Sequence, residues 1–485
     1  MPLLEELSGF VFAIAAVVIP ALASVHIIST KHEVRAAIGW TGLVWLVPFV
    51  GTVLYLMFGI NRIKRKAIRK RLRQQLSSPG RSEVGQLVGP FLPTLFKKAT
   101  RDMAAQARML SRLGNFPITG GNRIDHYTTG DGAYDAMLAA LRGAQRSIAL
   151  ASYIFEAATA DGAFVDALSE AVERGVEVRV LLDGVGSLYH RPSATTVLVR
   201  RGVRAAQFNR QLVPWRMPYL NLRNHRKILV IDGHRGFAGG MNLRQSYLGR
   251  GPEEEQVKDW HFRLEGPVVA HMMEVFAEDW SFATGETLEG EAWFPDDYPE
   301  DPADMVARGI PDGPDEDMDK LVWTILGAIG MARHRIAIQT PYFVPDRVII
   351  TALSHAALRG VDVDILLPEK NNLRIVEWGS RAQYKELLRA ACRIHHLPPP
   401  FDHSKIMLVD DSYVLFGSSN WDARSLRLNF EFNVDCFSPE LVSDVDQAFQ
   451  AKLATAKAVT HHEMITLPAW KRARNGLAWL TSPYL

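Results

Sequence analysis

Two stretches of the chain follow one rule. NHRKILVIDGHRGFAGGMN (224–242) and DHSKIMLVDDSYVLFGSSN (402–420) both read His, one residue, Lys, four residues, Asp, six residues, Gly, two residues, Asn. A single chance match in a chain of this length is on the order of 10⁻⁴. Two matches therefore demand a duplicated unit, and the surrounding sequence supplies one. The first copy runs from an amphipathic helix bearing Tyr134, Met137, Leu138 and Leu141 to the β-rich RSIALASYIF (146–155). A helix with Phe164, Val165, Leu168 and Val172 then stops at Gly175, before the strand VEVRVLLD (176–183). The second copy repeats this order as helix 318–332, strand 335–343, helix 346–359 stopped at Gly360, and strand 361–368. The offset is 189 residues at Tyr153/Tyr342 and 185 at Gly175/Gly360. Strands alternating with helices predict an α/β fold with two tandem lobes of mixed, mostly parallel sheet flanked by helices.

Within each motif the spacing assigns faces. ILVI and IMLV are strand-like, so side chains alternate, and His and Lys at i and i+2 share one face. Asp232 and Asp410 complete the motif and are counted with its catalytic set. The alternation, however, turns them the other way, into the turns Asp232-Gly233 and Asp410-Asp411, where they read as framework. A second strand returns Asn242 and Asn420 toward the lysines. The glycines before each Asn let backbone N–H groups approach an anion.

An imidazole and an ammonium on one face, twice over, suit a phosphodiester. Lys227, Lys405, Asn242 and Asn420 would hold the phosphate and stabilise the charge of pentacoordinate phosphorus. One of His225 and His403 would attack phosphorus, and the other would protonate the departing alcohol and deprotonate the incoming one. The two motifs are nearly symmetric and do not say which is which. Two lysines supply the positive charge, so neither metal nor cofactor is expected. A histidine nucleophile needs its second nitrogen held. Asp259 in KDWHFRLEGP and Glu431 in LNFEFNVDCF are the candidates, a carboxylate after each motif.

The N-terminus constrains location. Between Glu6 and Lys31, and again between Arg35 and Arg62, no charged residue occurs. The apolar cores 9–28 and 36–59 would span about 30 and 36 Å as helices, enough for two membrane crossings. Glu5 and Glu6 stand where a signal peptide carries Lys or Arg, which favours a hairpin over a cleaved leader. Eight Lys/Arg and no acid in 62–73 place everything beyond on the cytoplasmic side, and can also attract anionic headgroups. The net charge of +2 conceals +7 over residues 1–75 and −12 over 286–319. The remainder is only mildly basic, which gives nucleic-acid binding no support. Two cysteines, Cys392 and Cys436, make neither a disulfide framework nor a Cys-rich zinc site and suit a reducing compartment.

These motifs resemble the phospholipase D superfamily, and within it the bacterial cardiolipin synthases of the two-span type. RNHRKILVIDG, GGMN, TPYFVPD, HSKIMLVDD, GSSNWDARSLRLNFE, the second apolar span and the terminal TSPYL carry the resemblance over nearly the whole chain. It implies two lobes facing each other over one active site, His225 as nucleophile and His403 as acid/base. It also implies that Asp259 and Glu431 orient the histidines. The implied reaction is metal-independent phosphatidyl transfer between two phosphatidylglycerol molecules, giving cardiolipin and glycerol through a phosphohistidine. The implied partners are phosphatidylglycerol and other anionic phospholipids, and the implied location is the bacterial inner membrane. A phospholipase D-type hydrolase would use the same residues with water as acceptor. A nuclease of the same superfamily would need no double anchor and a more basic, aromatic groove.

The expected division is a hairpin with basic segment (1–75), a connector (76–114), a first lobe (115–285), an acidic connector (286–317), a second lobe (318–460) and an amphipathic tail (461–485). The tail spaces Trp470, Ala473, Leu477, Leu480 and Tyr484 helically, beside Lys471, Arg472 and Arg474, which suits packing on the second lobe or lying on a membrane interface. Tyr153 and Tyr342 suit either the core or the site mouth. His395-His396 and His461-His462 lack the partners of a metal site.

Overall fold

The computed structural model describes residues 2–31, 34–59, 109, 116–189, 191–209, 223–295, 305–314 and 319–482. The basic run 62–73, most of the connector 76–114 and Tyr484 lie outside them. The N-terminal hairpin and the body of the chain form separate units.

The hairpin opens with the helix Pro2–Thr30, whose segment Ser8–Thr30 has mean hydropathy 2.5 and is long and apolar enough to cross a membrane. Over the second expected span, 36–59, the helix is not continuous. The chain there forms two shorter helices, Val34–Leu46 and Pro48–Leu54, closed by a π-helical turn Tyr55–Gly59. The break falls at Pro48, which has no N–H to donate, and Val47 leaves the helical region at φ −136°, ψ 78°. Both pieces pack on the first helix. Trp45 Nε1 donates to Ser24 Oγ at 3.0 Å, and His26 Nδ1 lies 2.6 Å from the Tyr55 hydroxyl.

The body is built on one sheet of fifteen strands among the described residues. From edge to edge they are Lys457–Val459, Arg393–Leu397, Asp362–Pro368, Arg335–Gln339, Ile406–Val409, Tyr413–Gly417, Glu431–Phe437, Met305–Asp312, Thr119–Tyr127, His261–Glu265, Arg235–Gly239, Ile228–Ile231, Ser147–Ser152, Glu177–Asp183 and Arg204–Phe208. Apart from the first, the order is two-fold symmetric about the junction of Met305–Asp312 with Thr119–Tyr127, as a duplicated module requires.

The sheet is mixed, but a mostly parallel one needs correction. Only two pairings per lobe are parallel, those joining the strands that flank crossover helices. The motif hairpins and the strands between them pair antiparallel. The crossover helices that give parallel pairing join only the outer three strands of each lobe; within each motif a short turn joins Ile228–Ile231 to Arg235–Gly239 and Ile406–Val409 to Tyr413–Gly417, which must then run antiparallel.

The helices sit where their apolar stripes predict. Gly130–Gly143 buries Tyr134, Met137, Leu138 and Leu141, and the Thr129 side chain caps its start by accepting from Gly132 N at 3.3 Å. Arg347–Leu358 is capped by Asp346, which accepts from Val348 N and Ile349 N at 3.1 and 3.2 Å. Gly175 and Gly360 close the two crossover helices at φ +86° and +94°, left-handed conformations that glycine adopts without strain. Each lobe has its own apolar core, one around Leu141, Phe164 and Leu229 and the other around Ile325, Leu353 and Met407.

Between them, the acidic stretch 286–319 differs from a solvated connector in its middle. Met305–Asp312 is a central strand, with Arg308 buried against Asp435 at 3.3 Å. The charge count over the whole stretch conceals this short strand-forming segment. Across the junction, Phe262 and Phe416 stack with ring centroids 3.7 Å apart.

Candidate active site

Each motif begins as an extended segment that pairs with the opposite lobe before entering its own sheet. His225 N donates to Phe430 O at 2.8 Å, and His403 N donates to Lys258 O at 2.7 Å. That pairing sets each histidine beside the acid-bearing segment of the other lobe. His225 Nδ1 lies 3.0 Å from Glu431 Oε2, and His403 Nδ1 lies 2.8 Å from Asp259 Oδ2. The dyads are crossed, so neither lobe holds a complete one. Both histidines, Asn242 and Asn420 line a single cleft of about 1170 Å³ that also takes in Tyr153, Tyr342, Arg223 and Arg424.

The lysines stand under their own histidines. Lys227 Nζ donates to His225 O at 2.7 Å. Lys405 Nζ donates to His403 O and lies 2.9 Å from His403 Nδ1. Burial brings Lys227 down to about 7 and Lys405 down to about 8; Lys405 depresses Lys227 further, and Glu431 and Asp259 oppose the shift in both. Asn242 accepts from Ile154 N at 3.2 Å, and Asn420 donates to Ser425 Oγ at 3.2 Å. The Asn420 carbonyl oxygen is buried without a hydrogen-bond partner.

The two dyads differ electrostatically. Burial alone would raise Glu431, but His225, Lys227 and Ser418 together hold it below the usual carboxylate range. Ser418 Oγ donates to Oε2 at 2.6 Å and Asn429 Nδ2 to Oε1 at 3.1 Å. Asp259 is raised to about 7, chiefly by burial; Trp260 N donates to it at 2.7 Å. Gly240 stands at the position equivalent to Ser418, so Asp259 has no such hydroxyl. A Cβ at 240 would run into the Asp259 carboxylate, so the glycine is what admits the acid. Burial lowers both histidines, and Lys405 and Lys227 take His403 lower still.

Asp232 and Asp410 do not enter this site, which corrects their place in the catalytic set. Asp232 accepts from the backbone N–H groups of Gln145, Arg146 and Ser147 at 2.7–3.2 Å. Asp410 accepts from those of Arg333, His334 and Arg335 at 2.8–3.3 Å. Each sits in a turn at positive φ and ties the motif hairpin to the start of a neighbouring strand. Asp232→Ala is expected to cost about 1–3 kcal/mol of stability while turnover per folded molecule changes little. Chemical denaturation beside an activity assay checks both.

Other residues escape a reading by spacing. Arg226, the variable residue of the first motif, donates from Nε to Glu431 O at 3.0 Å and from Nη1 to Asp279 at 2.5 Å, so it holds the opposite lobe's acid by its backbone. Tyr247 places its hydroxyl 3.4 Å from His403 Nδ1. Tyr153 and Tyr342 lie at the cleft, each edge-on to its lobe's histidine, with centroids 5.0 and 6.0 Å away. Ser418 and Asn429 flank recognised residues, but only the fold reveals the carboxylate they share. Among the described residues no group of three or more His, Cys, Asp or Glu could hold a metal. His395 pairs with Asp364 at 3.1 Å, and His396 lies 3.3 Å from the Tyr384 hydroxyl.

Known proteins resemble this chain. Residues 137–280 and 325–453 match the family described as "Cardiolipin synthase, PLD-like domain", and residues 18–59 match a phospholipase D-nuclease N-terminal family. Cardiolipin synthase A of Pseudomonas entomophila is 31% identical, over 96% of both chains. Cardiolipin synthase 1 of Bacillus cereus is 28% identical, over 99% of this chain and 95% of its own. The crystal structure of phosphatidylserine synthase from Haemophilus influenzae superposes with a TM-score of 0.61 at 15% identity, covering 79% of this chain and all of the other, and shows the same fold. Each matched region takes in one motif and six strands of one half of the symmetric sheet, and the chain belongs to the cardiolipin synthase, PLD-like domain family.

Proposed function

We propose that the protein is a cardiolipin synthase, joining two phosphatidylglycerol molecules and releasing glycerol. The observation that carries the reading is the pair of crossed dyads, two histidines backed by unlike carboxylates over one cleft.

The unlike carboxylates divide the labour. Ionised Glu431 accepts the Nδ1–H of His225, which leaves a bare lone pair on Nε2. That nitrogen attacks phosphorus of the donor, and the bond from phosphorus to the headgroup glycerol oxygen breaks. Asp259, with its raised pKa, keeps its proton shared with His403 Nδ1, so His403 Nε2 carries hydrogen. A phosphodiester anion in the cleft favours the imidazolium–carboxylate form of that pair, and Nε2 passes its proton to the departing glycerol. In the second half the glycerol hydroxyl of another phosphatidylglycerol gives its proton to His403 Nε2 and attacks phosphorus. The phosphorus–nitrogen bond breaks, cardiolipin leaves, and the starting protonation is restored. Lys227, Lys405, Asn242 and Asn420 surround the non-bridging oxygens and stabilise their charge.

Both substrates and the product are bilayer lipids, which fits an anchored enzyme. The bent second segment supports a hairpin that crosses an inner membrane twice, with the basic run and the lobes on the cytoplasmic side. We place the lobes at 115–285 and 318–460.

Purified full-length protein in phosphatidylglycerol micelles without added metal is expected to form cardiolipin and free glycerol in equal amounts by mass spectrometry. Phosphatidic acid as the sole product would replace this reading with a hydrolase.

The lysines give the reaction a pH signature. Their charged forms bind phosphate, so that binding is present below their pKa values and lost as pH rises through about 7 to 8. Loss of the Asp259 proton at about 7 falls on the same limb. kcat/KM is expected to decline across that range. In kcat the decline moves to higher pH, because bound phosphate retains the lysine protons. A flat kcat/KM profile from pH 6 to 9 would remove the lysines from phosphate binding.

A further inference from the structure

The C-terminal helix Ala469–Leu480 is mounted inside out. It packs on the helix Arg374–Arg389 through Asn475 and Ala478, flanked by half-buried Lys471 and Arg474. The Arg474 guanidinium lies 4.4 Å from the centre of the Trp378 ring. The apolar stripe at i, i+3, i+7 and i+10 is Trp470, Ala473, Leu477 and Leu480, and it faces outward. Trp470 is 62% exposed, and Leu477 and Leu480 are 66% each. An ordinary surface helix would bury that stripe and present its arginines to water. Contiguous exposed apolar side chains mark a surface that something covers.

We infer that this stripe docks on the surface of an anionic phospholipid bilayer and sets the cleft against it. The inference rests on the reading of the substrates as bilayer lipids. Two observations favour a bilayer as the occupant. The helix carries Lys471, Arg472 and Arg474 and no acid, the complement of anionic headgroups, with stems long enough to reach them while the apolar stripe enters the acyl boundary. The supporting helix also leads straight to the cleft. Leu373 and Ile375 at its start line the cleft and are themselves 49% and 40% exposed. One helix pair thus joins the outward apolar stripe to the mouth through which a lipid headgroup would enter.

The test uses full-length protein in bilayers of phosphatidylglycerol and phosphatidylcholine. Cys392 and Cys436 are buried, so an environment-sensitive fluorophore can be placed at Leu477→Cys alone. Its emission is expected to fall about threefold when the acyl chains are brominated, and less in phosphatidylcholine alone. With Leu477→Glu/Leu480→Glu, the rate on bilayers divided by the rate on short-chain, water-dispersed phosphatidylglycerol is expected to drop about tenfold or more. Both leucines are exposed, so the substitutions disturb no core. Unquenched emission, or a ratio unchanged by the two glutamates, overturns the inference. So does emission that shifts only with protein density, with unlabelled Leu477→Cys forming disulfide-linked pairs, which would assign the stripe to a second copy. Quenching reads docking without chemistry, so quenching without cardiolipin would sink the functional reading and leave the docking standing.

Discussion

His225→Ala is expected to release no leaving group from any donor, whereas His403→Ala should still release one equivalent from phosphatidyl-p-nitrophenol and then stop. The first result is expected because the proposed mechanism puts the attacking lone pair on His225 Nε2, with Nδ1 3.0 Å from Glu431. Without it, turnover should fall by at least about 10⁴-fold with every donor. The second result separates the roles. Nitrophenolate departs without a proton, so loss of the general acid leaves the first half-reaction open. The second half still needs a base to deprotonate the acceptor hydroxyl, and the enzyme accumulates as the phosphohistidine. With phosphatidylglycerol, whose glycerol needs the proton, His403→Ala should lose about 10²–10⁴-fold. Rapid quench and intact-protein mass spectrometry read the burst and the trapped adduct. A burst in His225→Ala and none in His403→Ala would exchange the two assignments.

The sequence discloses the chemistry within each copy better than the relation between copies. Strand alternation over ILVI and IMLV set His and Lys on one side and Asp on the other, and Asp232 and Asp410 do face a backbone they tie down. That inference used only i and i+2 contacts, which the pleat dictates. Crossing of the dyads needed the pairing of His225 with Phe430 and of His403 with Lys258, contacts between residues 205 and 145 positions apart. No local pattern encodes that register. The same limit hid Arg226, whose partners Glu431 and Asp279 lie far along the chain in both cases. Met305–Asp312 was obscured differently, because a charge sum over thirty-four residues drowned an eight-residue strand whose arginine is neutralised by Asp435. Pro48 was visible throughout. What it does, end one helix and begin another, depends on Val47 finding an extended conformation that the packing of both pieces on the first helix supports.

Glu431→Gln is expected to lose about 10³–10⁴-fold in kcat, more than an isosteric change suggests, because of which way the new amide must face. Asn429 Nδ2 donates to Oε1 at 3.1 Å, and an NH₂ there would set two donors against each other. The amide oxygen therefore takes the Oε1 position and the NH₂ takes that of Oε2. Ser418 tolerates this, since a hydroxyl that donates to Oε2 can rotate to accept. His225 Nδ1 does not. Facing a donor, it must become the acceptor, and the ring proton moves to Nε2, where the attacking lone pair was. The substitution thus fixes the tautomer that cannot attack, and also removes the charge that steadies the cationic phosphohistidine. Adding Asn429→Asp turns the amide back. An acceptor at 429 draws the NH₂, and the oxygen again meets Nδ1–H. The double variant should regain at least about tenfold over Glu431→Gln, although Asn429→Asp alone places a second buried carboxylate beside Glu431 and should itself be slow. Steady-state rates for the four proteins of this cycle decide the matter. A Glu431→Gln enzyme within tenfold of wild type would mean that Glu431 does not govern the tautomer. Additive losses in the double variant would mean that Asn429 does not set the direction of the amide.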